Sequence, residues 1–146
     1  MLGVHHSAIC TSDVERSLRF WRDGLGLSQL FDHRSSGGWP EQFGAQTEWL
    51  RSIFLGDPGT PESGIVELVE LPGAAEARPG TDGPRHGFFL LALQRDVDET
   101  LSARETLGFN DGVRRIRVAA PGGKAVAMAI ITAPDGVPVE LIGSPQ

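Results

Sequence analysis

Ser12-Asp13-Val14-Glu15-Arg16-Ser17-Leu18-Arg19-Phe20-Trp21 … Leu25-Gly26-Leu27 is one of two stretches that decide the fold; the other is Arg95-Asp96-Val97-Asp98 … Leu107-Gly108-Phe109. In the first, Ser12 or Asp13 can cap a helix, and Glu15 sits in the first turn, where the helix dipole favours a negative charge. Val14, Leu18, Trp21 and Leu25 then recur at the spacing of one apolar helix stripe, with Phe20 beside it as a further core residue. Gly24 and Gly26 stop the helix. The second stretch repeats the design: Asp96 opens a helix through Val97, Leu101, Arg104 and Leu107, and Gly108 ends it. Asp13 and Asp96 lie 83 residues apart, and Gly26 and Gly108 lie 82 apart.

Working outward, residues 3–10 read as a strand before the first helix, and residues 27–31 as one after it. Residues 33–46 lack periodicity and contain Ser35-Ser36-Gly37-Gly38-Trp39-Pro40, which predicts a long loop carrying the aromatics Trp39 and Phe43. Strands follow at 47–55 and 64–71. A Pro-, Gly- and Ala-rich linker is expected at 72–84. After it the order restarts, with a continuous apolar run at 87–93 that predicts a strand buried on both faces. The second helix follows, then strands at 113–119, 125–133 and 137–142, with turns at Pro121-Gly122-Gly123 and Pro134-Asp135-Gly136. The last strands of the halves also match: Gly64-Ile65-Val66-Glu67-Leu68-Val69 against Gly136-Val137-Pro138-Val139-Glu140-Leu141-Ile142. The reading is an α+β chain made of tandem βαβββ modules, 1–71 and 85–146, forming one domain.

Composition narrows the function. The 146 residues are about one domain long, 40% hydrophobic and 22% charged, an ordinary globular balance. Thirteen basic residues against nineteen acidic ones leave a net charge of −6, and no basic stripe occurs, so neither nucleic acid nor an anionic membrane is an expected partner. The single cysteine, Cys10, cannot form an internal disulfide, which favours a reducing compartment, and its apolar run predicts a buried small hydrophobe. No signal-peptide core or bilayer-length apolar run is evident, and a cytoplasmic location is expected.

Glu67 and Glu140 both lie inside otherwise apolar strands, where a carboxylate needs a partner. Glu70, an odd step from Glu67, belongs to the opposite face, and His5 likewise points away from the face of His6. Arg51 could hold an anionic substrate group or simply lie on the surface, and Trp39 and Phe43 could line a cavity or pack on their own loop.

The run His6-Ser7-Ala8-Ile9 … Ser12-Asp13-Val14-Glu15-Arg16-Ser17-Leu18-Arg19-Phe20-Trp21 … Leu25-Gly26-Leu27 resembles the opening signature of the vicinal-oxygen-chelate superfamily, which includes glyoxalases, bleomycin-resistance proteins and extradiol dioxygenases. The closing Ala133-Pro134-Asp135-Gly136 … Val139-Glu140-Leu141 resembles its ending. The resemblance spans nearly the whole chain. It implies a half-barrel-like mixed sheet around a cavity, a small-molecule substrate or ligand, and a homodimer, with the halves pairing either within one chain or between two.

Metal-bearing relatives take one ligand from the first and one from the last strand of each half, which implies His6, Glu67 and Glu140 here. The implied cofactor is a divalent ion: Zn, Ni, Mn, Fe or Mg. At the fourth position, counting back from Asp96 as His6 stands to Asp13 reaches Phe89, which cannot ligate; His86 lies three residues earlier, and which of the two occupies the position stays open. Phe89 would then line the substrate site. The missing second His disfavours an iron dioxygenase. The resemblance implies a glyoxalase- or epimerase-like enzyme that moves a proton beside two neighbouring oxygens, with Glu67 or Glu140 as base. The alternative is a metal-free drug- or metabolite-binding protein.

Overall fold

The Oδ1 atom of Asp13 accepts from the backbone N–H of Arg16 (3.0 Å), and Oδ1 of Asp96 from that of Glu99 (2.8 Å). Both helices therefore begin at an aspartate cap, at the same place in each half. The chain is described by a computed structural model over residues 3–77, 84 and 86–146. It divides into two compact units, Met1–Ala77 and Arg78–Gln146. The boundary falls within the predicted linker, whose residues 78–83 lie outside the described ones, as do Met1, Leu2 and Arg85.

In the first unit the elements are β1 (His6–Cys10), α1 (Val14–Leu18), β2 (Ser28–Ser36), α2 (Trp39–Phe43), β3 (Trp49–Gly56) and β4 (Ile65–Glu70). They form a mixed sheet in the order β1-β4-β3-β2, with β1 parallel to β4 and the other pairs antiparallel. The helix begun by α1 continues through Arg19–Gly24 with wider π-type turns, marked by the bond from the N–H of Leu25 to the carbonyl of Phe20. The wider turn reduces the angle between neighbouring side chains, so Phe20 and Trp21 are both fully buried. Gly26 ends the helix in the left-handed region (φ 74°) that a side chain would disfavour. The sheet face bearing Ile9, Ile53, Leu55, Val66 and Leu68 supplies the rest of this core.

The second unit repeats the topology with β5 (Leu91–Gln94), α3 (Val97–Thr106), β6 (Arg114–Ala120), β7 (Lys124–Thr132) and β8 (Pro138–Ile142), in the order β5-β8-β7-β6. Its helix also exits through a left-handed glycine, Gly108 (φ 88°). Ala129, Ile131, Val139 and Leu141 form the buried sheet face, with Val97, Thr100 and Arg104 of α3 buried too. Among the described residues no helix is long and apolar enough to cross a membrane.

Several expectations need correction. The predicted loop at 33–46 is largely ordered: β2 runs on to Ser36, paired with β3 through His33↔Ser52 and Ser36↔Trp49, and Trp39–Phe43 forms the short α2. Polar residues hid this strand, because the alternation rule needs one apolar face. The run 87–93 is not a strand buried on both faces. β5 starts only at Leu91, and Phe88 and Phe89 are 71% and 44% exposed. Cys10 is exposed, because it shares a face with His6 and Ala8 while Ile9 takes the core side of β1.

Candidate metal and substrate site

Strand pairing sets the chemistry of the first unit. Ala8 pairs with Glu67 on the parallel neighbour, so His6, two residues back, shares the face of Glu67. Nε2 of His6 stands 4.0 Å from Oε1 of Glu67. The other carboxylate oxygen, Oε2, accepts a hydrogen bond from Oγ of Ser52 at 2.6 Å. Ser52 is buried, and the Glu67 side chain is only 16% exposed. A largely buried carboxylate held by one hydroxyl, with its second oxygen turned to an imidazole, suits a borderline divalent cation, which takes both donor types.

Aromatic rings surround the pair. Phe54 sits opposite Glu67 on β3, and its ring stacks on His6 (centroids 5.9 Å, 22°). Phe31, opposite Phe54 on β2, tilts against it at 5.2 Å and against His33 at 5.7 Å. His5 does not point away from His6, as strand alternation predicts. It precedes β1, and its Nδ1 lies 2.8 Å from Nδ1 of His6. Ser52, Phe54 and Phe31 were missed in the sequence because only the register between strands distant in the chain gathers them, and His5 was placed on the wrong side because it lies just before the regular strand. Among the described residues no group of three or more His, Cys, Asp or Glu side chains is placed to hold a metal ion.

Arg51 is not on this face. One step from Ser52, it projects to the opposite side and makes a two-pronged bond to Asp32 (2.9 Å from both Nε and Nη2). That bond from Arg51 holds the Asp32 carboxyl below its usual value and raises the guanidinium in turn. Glu70 is also on the opposite face, 3.8 Å from Arg34. Trp39 and Phe43 stack on each other within α2 (5.6 Å, 6°), and Nε1 of Trp39 donates to the carbonyl of Ser35.

In the second unit Ala92 pairs with Glu140 as Ala8 pairs with Glu67. By that register the counterpart of His6 is Leu90, not Phe89. Five residues separate Ala8 from Asp13 but only four separate Ala92 from Asp96, so counting from the helix cap slips by one. His86 lies outside β5, beyond Gly87, whose left-handed φ of 98° breaks the extended path. The residue opposite Glu140 on β7 is Ile130, where the first unit has Phe54, and the position of Ser52 is taken by Met128, which cannot donate a hydrogen bond.

The sequence profile of the Glyoxalase/Bleomycin resistance protein/Dioxygenase superfamily matches residues 3–141. A lactoylglutathione lyase-like protein, terB, from Aspergillus terreus (strain NIH 2624 / FGSC A1156) is 32% identical over 150 residues, covering 98% of this chain and 76% of its own. The solved structure of a glyoxalase family protein from Bacillus cereus matches with a TM-score of 0.70 at 15% identity, over 98% of this chain and 94% of the other. That of the trypanothione-dependent glyoxalase I of Leishmania major matches with a TM-score of 0.61 at 22% identity, over 98% and 87%. At those identities the solved structures speak for the fold alone, and they agree with the paired βαβββ units. With the profile covering almost its whole length, the chain belongs to the Glyoxalase/Bleomycin resistance protein/Dioxygenase superfamily.

Proposed function

We propose that the protein is a divalent-metal-dependent lyase or isomerase of the glyoxalase kind, acting on a small oxygen-rich substrate. The carrying observation is the facing of His6 Nε2 and Glu67 Oε1 across 4.0 Å on neighbouring strands. His6 and Glu67 would hold the ion, with Glu140 as third ligand, contributed by the same chain or by a second copy in a homodimer. When bound, the ion supplies a Lewis acid for two adjacent substrate oxygens. The chain's carboxylates move the proton: one takes it from the carbon beside those oxygens and returns it to the neighbouring carbon, so no atom is lost. Ser52 fixes Glu67, which favours Glu67 as a static ligand and Glu140 as the base. The resemblance to a lactoylglutathione lyase-like protein makes lactoylglutathione the first compound to test.

The test is the metal content of the full chain purified without chelator, followed by Co²⁺ titration of the wild type and of His6→Ala, Glu67→Gln and Glu140→Gln. One ion per site is expected, with each substitution weakening binding about tenfold or more. A wild type that takes up no divalent ion would sink the reading. The partly exposed Phe31 and the ring of Phe54 favour the second reading, a metal-free binder of flat apolar ligands. That binder would hold an aromatic probe with unchanged affinity in all three variants.

A further inference from the structure

His5 immediately precedes β1, and its ring departs from strand alternation to meet its neighbour. It stands edge-on both to His6 (centroids 5.1 Å, 85°) and to Phe54 (6.0 Å, 72°), with the two Nδ1 atoms 2.8 Å apart. Two ring nitrogens at that distance share one proton: an N–H on one ring faces a lone pair on the other. An imidazole that ligates through Nε2 carries its proton on Nδ1, and the acceptor that fixes this tautomer also orients the ring. For His6 that acceptor is Nδ1 of His5. We infer that His5 is a positioning residue, accepting the Nδ1–H of His6 in the metal-bound state and holding Nε2 toward Oε1 of Glu67. The inference rests on the reading of His6 as a ligand. Phe54 packs against both rings, which restricts the swing of the pair. A carboxylate or a backbone carbonyl often plays this outer part; here the adjacent residue plays it by leaving the regular strand.

Two measurements on the full chain test this. In the metal-free protein at pH 9, well above the imidazole range, two-bond ¹H–¹⁵N correlations from the ring carbon protons report which ring nitrogens carry hydrogen. One of the two Nδ1 atoms is expected to be protonated, and neither should be after His5→Ala or His6→Ala. A wild type with both Nδ1 atoms unprotonated overturns the inference. Titration with Co²⁺ alone should then show His5→Ala binding about ten- to a hundredfold more weakly. His5→Asn, whose Oδ1 can stand where Nδ1 stood, should recover most of the loss. Equal affinity of the wild type and His5→Ala, or no recovery in the Asn variant, overturns the positioning role. A wild type that shows the shared proton but binds no Co²⁺ removes the ligand reading of His6, and the role of His5 with it, while the resonance still reports the pair.

Discussion

Eight residues beyond each helix cap stand Trp21 in the first unit and Arg104 in the second, and both are buried, at 0% and 2% exposure. Trp21 meets Phe20 edge-on (centroids 5.3 Å, 77°) and belongs to the same buried set as Leu18, Leu55 and Leu68. Arg104 occupies its place above a sheet whose corresponding strand carries the small Ala129 where the first unit has Ile53. Burial pulls the Arg104 guanidinium below its usual value, and the carbonyl of Asp111 accepts from its Nη2 at 3.2 Å. The duplicated topology therefore tolerates either an apolar ring or a desolvated cation at one site. What it needs there is volume, and the chemistry of the volume differs between the copies.

The largest expected effect tests this directly. Trp21→Ala should lower the stability of the full chain by about 3–5 kcal/mol, the loss of a large buried aromatic. Arg104→Met should leave stability unchanged or raise it by about 1–4 kcal/mol, because an apolar side chain of similar size needs no desolvation. Denaturant unfolding of both variants reads the difference. An Arg104→Met loss as large as that of Trp21→Ala would show that the bond to the Asp111 carbonyl outweighs the cost of desolvating the cation.

The acidic positions differ in the same spirit. Glu67 has Ser52 to hold it, whereas Met128 stands at the corresponding position beside Glu140. Ser52→Ala should cost about 1–2 kcal/mol, since it removes a hydrogen bond to a mostly buried carboxylate. It should also weaken Co²⁺ binding about tenfold. Met128→Ala, as the control, should leave Co²⁺ affinity within a few-fold of the wild type. Equal loss of affinity in the two variants would erase the distinction between the Ser52 and Met128 positions.

The smallest effect concerns the ion pairs on the two sheets. The Arg51–Asp32 side chains are 27% and 31% exposed, while the Arg115–Asp98 pair is 52% and 81% exposed. Because the bond from Arg51 holds Asp32 below the usual carboxylate range, its contribution is complete above that range and is lost as the pH falls through the depressed value. Asp32→Asn should therefore flatten the acid side of the stability profile by about 1 kcal/mol or less, after screening. At pH 7, Asp98→Asn, in the more exposed pair, should lower the melting temperature by less than Asp32→Asn does. An equal loss in both variants would remove the contrast between the pairs.

The sequence by itself determined the βαβββ order of each half apart from the short α2, the Asp96 cap, the first cap to within Ser12 or Asp13, the glycine exits and the buried stripe of Val14, Leu18, Trp21 and Leu25. These depend on neighbours within a few residues, and helical periodicity and capping chemistry are local. Glu67 stood out as a carboxylate inside an apolar strand, whereas His6 was implied by the family resemblance and not by its spacing. Only the tertiary structure decided which residues meet across strands. The pairing of Ala92 with Glu140, counted back two residues to just before β5, makes Leu90 rather than Phe89 the counterpart of His6, while register and side-chain bonds put Phe54 and Ser52 beside Glu67 and sent Arg51 to Asp32 on the other face. A one-residue difference in a connecting loop shifts every later count and turns each side chain to the opposite face, and nothing local to a strand records that shift.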